Sequence, residues 1–311
     1  MTTKNFQTEY ININGLSQYM LHYPKEGSKD VLLMLHGGPG APNSYISYYL
    51  EPYLNFCHVV YYDQRGSGKT QIKSKTKLKH HTWNLMIEDL RETVRHLKRK
   101  YKTDRVILCG HSFGSMLGAS FLEKYPEEVL AFIAYGVVTD VNAQDQHFYT
   151  TLKSNVLKNG SKKDIKKLNT VDPSFPSVNR EEFTKGVNVL SELQLKYGYY
   201  YNDYMAIFKK SPILGFKDFL QFPKGAKYDS KLIAEVEYQY DITHMTTYQV
   251  PVFYILGEKD DWTSSVIAKK YFDTINAPVK DLYWISNAGH FVDTDQPQEF
   301  SEAIKDILKQ V

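Results

Sequence analysis

Short apolar runs rich in β-branched and aromatic residues punctuate this 311-residue chain at Val31–Leu35, His58–Tyr62, Val106–Cys109, Val129–Tyr135, Val252–Leu256 and Leu282–Ile285. Runs of this kind read as strands buried on both faces. Between them lie segments with helical spacing. Ile87, Leu90, Val94 and Leu97 recur on one face, and Ser112–Tyr125 and Pro297–Val311 read as helices. Strands that alternate with helices must be joined by crossovers, which gives a mostly parallel sheet covered on both sides. The opening segments Tyr10–Asn14 and Gln18–Tyr23 instead alternate around Asn14-Gly15, the signature of an antiparallel hairpin at the sheet edge.

The pattern breaks from about Thr139 to about Tyr248. Lys-rich stretches there alternate with aromatic helices such as Leu190–Tyr204. A structureless connection of that length is rare in a compact domain, so an inserted helical cap is expected. The division is residues 1–138 for the first part of the core, 139–248 for the cap and 249–311 for the second part. Hydrophobic residues at 42% and charged residues at 23% are ordinary for a globular chain that needs no disulfide or metal to build a core. A net charge of +3, with both signs interleaved, gives no electrostatic footprint for nucleic acid. Cys57 and Cys109 sit in or beside apolar runs and read as buried thiols in a reducing compartment. With no apolar signal segment at Met1–Tyr10 and no run near the roughly 18 residues that span a bilayer, a cytoplasmic location without membrane contact is expected.

Gly110-His111-Ser112-Phe113-Gly114 carries the strongest chemical signal, because a strand precedes it and a helical run follows. A G-x-S-x-G turn in that context forces the serine into a strained conformation and presents its hydroxyl at a helix N-terminus. The Phe113 amide there can meet a developing oxyanion. A serine hydroxyl needs a base and an orienting acid, expected downstream in the order acid, then histidine. Gly257-Glu258-Lys259-Asp260-Asp261 follows one strand run and Asn287-Ala288-Gly289-His290 follows the next. Both loops fall at the strand ends that bear the elbow. His290 is the candidate base. For the acid, the residues alone leave Asp260 or Asp261 open, and Asp260 could also cap the helix expected over Thr263–Phe272.

His36-Gly37-Gly38-Pro39-Gly40 follows the strand Val31–Leu35 and suggests a second oxyanion donor. Gly38 N–H is the candidate, since Pro39 has no hydrogen to give. Gly66-Ser67-Gly68-Lys69-Thr70 imitates a phosphate loop but has Asp63 where that pattern needs glycine. Arg65 reads as half of a buried ion pair. His80 and His81 lack the further ligands of a metal site, and no cofactor is implied.

The order of His36–Gly40, Asp63–Gly68, Gly110–Gly114, Asp260 and His290 resembles the proline iminopeptidase branch of the α/β-hydrolase superfamily. That resemblance covers about Thr8 to Val138 and Pro251 to Val311 and is thin across the cap. It implies the α/β-hydrolase fold with an inserted helical cap. It also implies a metal-free aminopeptidase that releases N-terminal proline from short peptides, and it favours Asp260 as the triad acid. Asp261 takes a position that in some members helps hold the substrate ammonium. The family's cap carboxylate has no visible motif here, and Asp229, Glu235 and Glu237 are candidates. His111 gives a G-H-S elbow that is shared with esterases, so a carboxylesterase or amidase for small apolar acyl groups is the alternative. A non-catalytic ligand-binding protein on the same fold is the alternative of another class. The partner expected is a small molecule or short peptide, and the sequence is silent on oligomeric state.

Overall fold

A computed structural model describes residues 6–52, 54–74, 82–218, 236, 238 and 240–311. An eight-stranded sheet runs through it in the order β1-β2-β4-β3-β5-β6-β7-β8. The strands are β1 Gln7–Ile13, β2 Leu16–Tyr23, β3 Val31–Leu35, β4 His58–Tyr62, β5 Val106–His111, β6 Val129–Tyr135, β7 Val252–Gly257 and β8 Lys280–Ile285. β1 pairs with β2, and β2 with β4, in antiparallel fashion. All other pairs are parallel. The Asn14-Gly15 turn joins β1 to β2 with φ of 45° and 77°, the mirror-image turn geometry that suits a twisted hairpin.

Alternation along the central strands explains their unbroken apolar sequence. Val31, Leu33 and Leu35 of β3 enter one hydrophobic layer, while Leu32 and Met34 enter the other. Both faces are covered by helices, as a parallel sheet requires. On one face lies α2 (Trp83–Tyr101), after α1 (Gly68–Ser74). The Thr82 side chain caps α2 by accepting from Leu85 N, and Lys102 ends it in a left-handed conformation. β8 differs from the sequence expectation of a buried strand. It is the sheet's edge, and of its residues only Ile285 is buried.

Between β6 and β7 the chain forms α4 (Val141–Asn159), α5 (Lys162–Leu168), α6 (Arg180–Tyr197) and α7 (Tyr204–Lys209), after α3 (Phe113–Lys124). The helix expected over Leu190–Tyr204 is therefore two elements. It breaks at Gly198 because the backbone of Tyr201 and Asn202 turns away to donate to the Asp295 carboxylate, a tertiary contact that overrides local spacing. Phe175 and Phe183 stack with ring centroids 5.5 Å apart inside this insertion. Gln144 of α4 ties it to the sheet: its amide donates to Val137 and Thr263 carbonyls and accepts from Thr139 N. α8 (Ser265–Thr274), the single turn α9 (Val292–Asp295) and α10 (Pro297–Ile307) complete the chain.

Candidate active site

β3 and β5 are neighbours, and the chain leaves them in opposite directions, towards β4 and β6. A crevice opens at the carboxyl ends of strands where the order reverses in this way. Ser112 stands there, between β5 and α3, with φ 50° and ψ −120°. That strained backbone is held by its N–H donating to Tyr135 O at 3.0 Å. Gly114 makes the turn possible: a Cβ on it would lie 2.0 Å from Leu35 O. Phe113 opens α3, so its N–H has no acceptor one turn back and faces outward at the helix's positive end.

The β3 loop closes over the same point. A Cβ on Gly37 would lie 3.0 Å from the Ser112 Cβ, and Gly38 adopts φ +113°, which a side chain would resist. His36 anchors this loop. Its Nε2 accepts from Gln64 N and its Nδ1 donates to Gly37 O, while Gln64 Nε2 donates to His36 O. Burial holds its pKa down at about 4, so the ring stays neutral.

His290 follows β8 and Asp260 follows β7. His290 Nδ1 lies 3.1 Å from Asp260 Oδ2 and 3.2 Å from Thr263 Oγ1, so the imidazole's described bonds leave Nε2 uncommitted. Asp260 Oδ1 accepts from Trp262 N and Thr263 N, and Oδ2 accepts from Thr263 Oγ1. Burial works to raise the Asp260 pKa, but the facing His290 and the Thr263 bonds together hold it below the usual carboxylate value. Asp260 thus forms the turn ahead of α8 and also meets the imidazole.

Its neighbour Asp261 points the other way. The Asp261 side chain is 58% exposed, lies 3.2 Å from His147 Nε2, and borders a separate cavity with Lys259 and Tyr199. The structure does not bring it to Ser112. The cap acids Asp229, Glu235 and Glu237 lie outside the described residues, as do His80 and His81.

A cavity of about 190 Å³ lies against Ser112, Gly38 and Phe113. Its apolar wall includes Met116, Val141, Phe148 and Trp262, and among the described lining residues Asp145 of α4 is the only ionisable one. No hydrogen bond or ion pair among the described residues engages the Asp145 carboxylate, and burial pushes its pKa up to about 7. Sequence reasoning missed this residue, because an acid in the second turn of a polar helix looks like any solvated one. The tyrosines of 197–204 are not among the described residues of this wall. Tyr200 and Tyr204 pack on Phe291 beside His290, and Tyr197 and Tyr199 border the Asp261 cavity.

The remaining motifs resolve structurally. Arg65 Nε and Nη2 donate to the two Asp89 oxygens at 2.7 and 2.9 Å, the buried pair expected. In the imitation phosphate loop, Thr70 Oγ1 donates to Asp63 O and Lys69 Nζ meets Asp218. Both cysteines are buried free thiols. Among the described residues, no helix is long and apolar enough to cross a membrane. No cluster of three or more His, Cys, Asp or Glu side chains there could hold a metal ion.

A parallel-cored sheet with an elbow serine and a carboxylate-bonded histidine at one set of strand ends defines a class of hydrolase. The family model described as the alpha/beta hydrolase fold matches residues 30–293, and the chain belongs to that family. Within it the chain resembles the proline iminopeptidase branch, as its motifs imply. It is 24% identical to a probable aminopeptidase of Bacillus subtilis, covering 94% of this chain and 93% of that protein. It is 23% identical to a proline iminopeptidase of Saccharolobus solfataricus, covering 99% and 94%. The crystal structure of a proline iminopeptidase-related protein from Thermus thermophilus superposes with a TM-score of 0.62 at 22% identity, covering 98% of each chain.

Proposed function

We propose that this hydrolase is a serine aminopeptidase that releases an N-terminal residue from short peptides through an acyl-enzyme. Ser112 Oγ attacks the carbonyl carbon of the first residue while its proton passes to His290 Nε2. Asp260 holds the Nδ1–H and steadies the imidazolium. Gly38 and Phe113 N–H groups receive the carbonyl oxygen as it gains charge. Collapse expels the amine of the remaining peptide, which takes the proton from His290, and water then repeats the sequence to free the acid.

The observation that carries the reading is Asp145. Asp145 is the one carboxylate among the described residues lining the cavity beside the serine, and a half-buried carboxylate, partly stripped of water, is stabilised when something cationic meets it. A free N-terminal ammonium is such a group, and it would stand one residue's length from the carbonyl attacked. The apolar wall suits a small ring or aliphatic side chain.

Turnover of proline β-naphthylamide, alanine β-naphthylamide and a short p-nitrophenyl ester, compared with the Ser112→Ala protein, tests this. Amide turnover that dominates and vanishes in the variant is the expected result. Cleavage of the ester alone would make the protein an esterase, and no serine-dependent turnover or labelling would make it a ligand-binding member of the fold.

A further inference from the structure

His111, immediately before the elbow serine, is buried without being part of the triad. Its Nε2 lies 3.0 Å from the main-chain oxygen of His290. A carbonyl can only accept, so the proton is on Nε2. The ring stacks on Tyr135 with centroids 4.6 Å apart and planes 21° apart, and its centroid lies 4.8 Å from that of His290. His111 and Tyr135 are register partners in the β5–β6 ladder.

Tyr135 holds the same His290 turn at its other end. Its hydroxyl donates to Asp293 Oδ2 at 2.8 Å, and its carbonyl accepts from Ser112 N. The turn that carries His290 follows the edge strand β8, which has a strand neighbour on one side only. From the β7 side the turn is held by Lys259 N donating to Ala288 O and by the Asp260 bond to His290, and from the β5 and β6 side, where the serine stands, by this stacked pair.

We infer that His111 is a positioning residue: by donating to the His290 carbonyl from the residue next to Ser112, it sets the separation between nucleophile and base. The inference rests on the serine-hydrolase reading above. His111 does this as a neutral ring. Burial first, then the nearby His290 charge, lower its pKa to about 3, with His36 acting in the same direction and the bond to the His290 carbonyl and the Asp260 charge acting against it. A second cation beside the imidazolium that forms during attack is thereby avoided.

His111→Leu removes the donor at similar volume, and His111→Gln can restore a donor near the Nε2 position. Misplacing a base by a fraction of an ångström to 1 Å is expected to slow fluorophosphonate labelling of Ser112 about 10–100-fold in the Leu variant, with KM for a cleaved substrate changed less than about threefold. The Gln variant should recover to within about fivefold of wild type. Labelling of folded His111→Leu protein within about threefold of wild type, or equal loss in both folded variants, would overturn the inference. If the Leu variant fails to fold, long-range ¹H–¹⁵N spectra of the wild-type protein decide. A neutral Nε2–H ring from about pH 5 to about pH 9 is expected, and an Nδ1–H ring or a titrating one in that range refutes it. Failure of the serine-hydrolase reading would show instead as absent labelling of Ser112 in the wild-type protein.

Discussion

Replacing Asp145 by Asn keeps the shape of the cavity wall and removes its charge. A hydrogen bond between charged groups in a partly buried site contributes about 1.5–3 kcal/mol, and each 1.36 kcal/mol is tenfold. Asp145→Asn should therefore lower kcat/KM for proline β-naphthylamide by about 10–200-fold and leave a p-nitrophenyl ester within about threefold. The pH profile supplies a second readout. Burial raises the Asp145 pKa to about 7, so in the free enzyme the carboxylate is half ionised there and mostly ionised above that value. An N-terminal ammonium loses its proton at about pH 7.7–8.0. Amine substrates should show a narrow optimum between these limits, whose alkaline fall the ester lacks, and the acid limb owed to Asp145 should vanish in the variant. The linkage has a definite sign. A carboxyl whose folded-state pKa is raised takes up protons on folding, so its contribution to stability falls as pH rises from about 4 to about 7. Above that window the Asn variant should melt at the same temperature or higher. Equal loss of amide and ester turnover, or an amide kcat/KM within about threefold of wild type, would refute the ammonium role.

Asp260→Asn should cut kcat by about 10³–10⁴ with little change in KM, because an amide cannot accept from His290 Nδ1, Trp262, Thr263 N and Thr263 Oγ1 together; steady-state kinetics would show it. Gly114→Ala would drive a Cβ to 2.0 Å from Leu35 O and 2.6 Å from Leu35 C, so β3 and α3 must part. A loss of about 3 kcal/mol, read from urea midpoints at constant m, is expected. Asp295→Ala frees Tyr201 N, Asn202 N and Gly289 N, and limited proteolysis should then cut within 199–203 faster than in wild type while the sheet stays resistant.

Much of the sheet is legible in the sequence because it rests on local chemistry. Continuous apolar runs such as Val31–Leu35 need cover on both faces, Asn14-Gly15 accepts two positive φ values, and glycines flank Ser112 where backbone approaches backbone. Each of these is decided by a few adjacent residues. The expected placements of Ser112, His290 and Gly38 follow from the same rule, since the chain must turn where strands end.

Tertiary structure alone decided the rest. Asp260 and Asp261 are indistinguishable as letters, yet the turn ahead of α8 aims one inward at His290 and lets the other face solvent and His147. Asp145 lines the Ser112 cavity from α4, which Gln144 clamps to Val137 and Thr263 through bonds that join residues up to 119 positions apart. The break after Tyr197 depends on Asp295, about a hundred residues downstream. Local periodicity reports which elements form. Which side of an element meets the cleft depends on contacts between distant residues, and no window of sequence contains both partners.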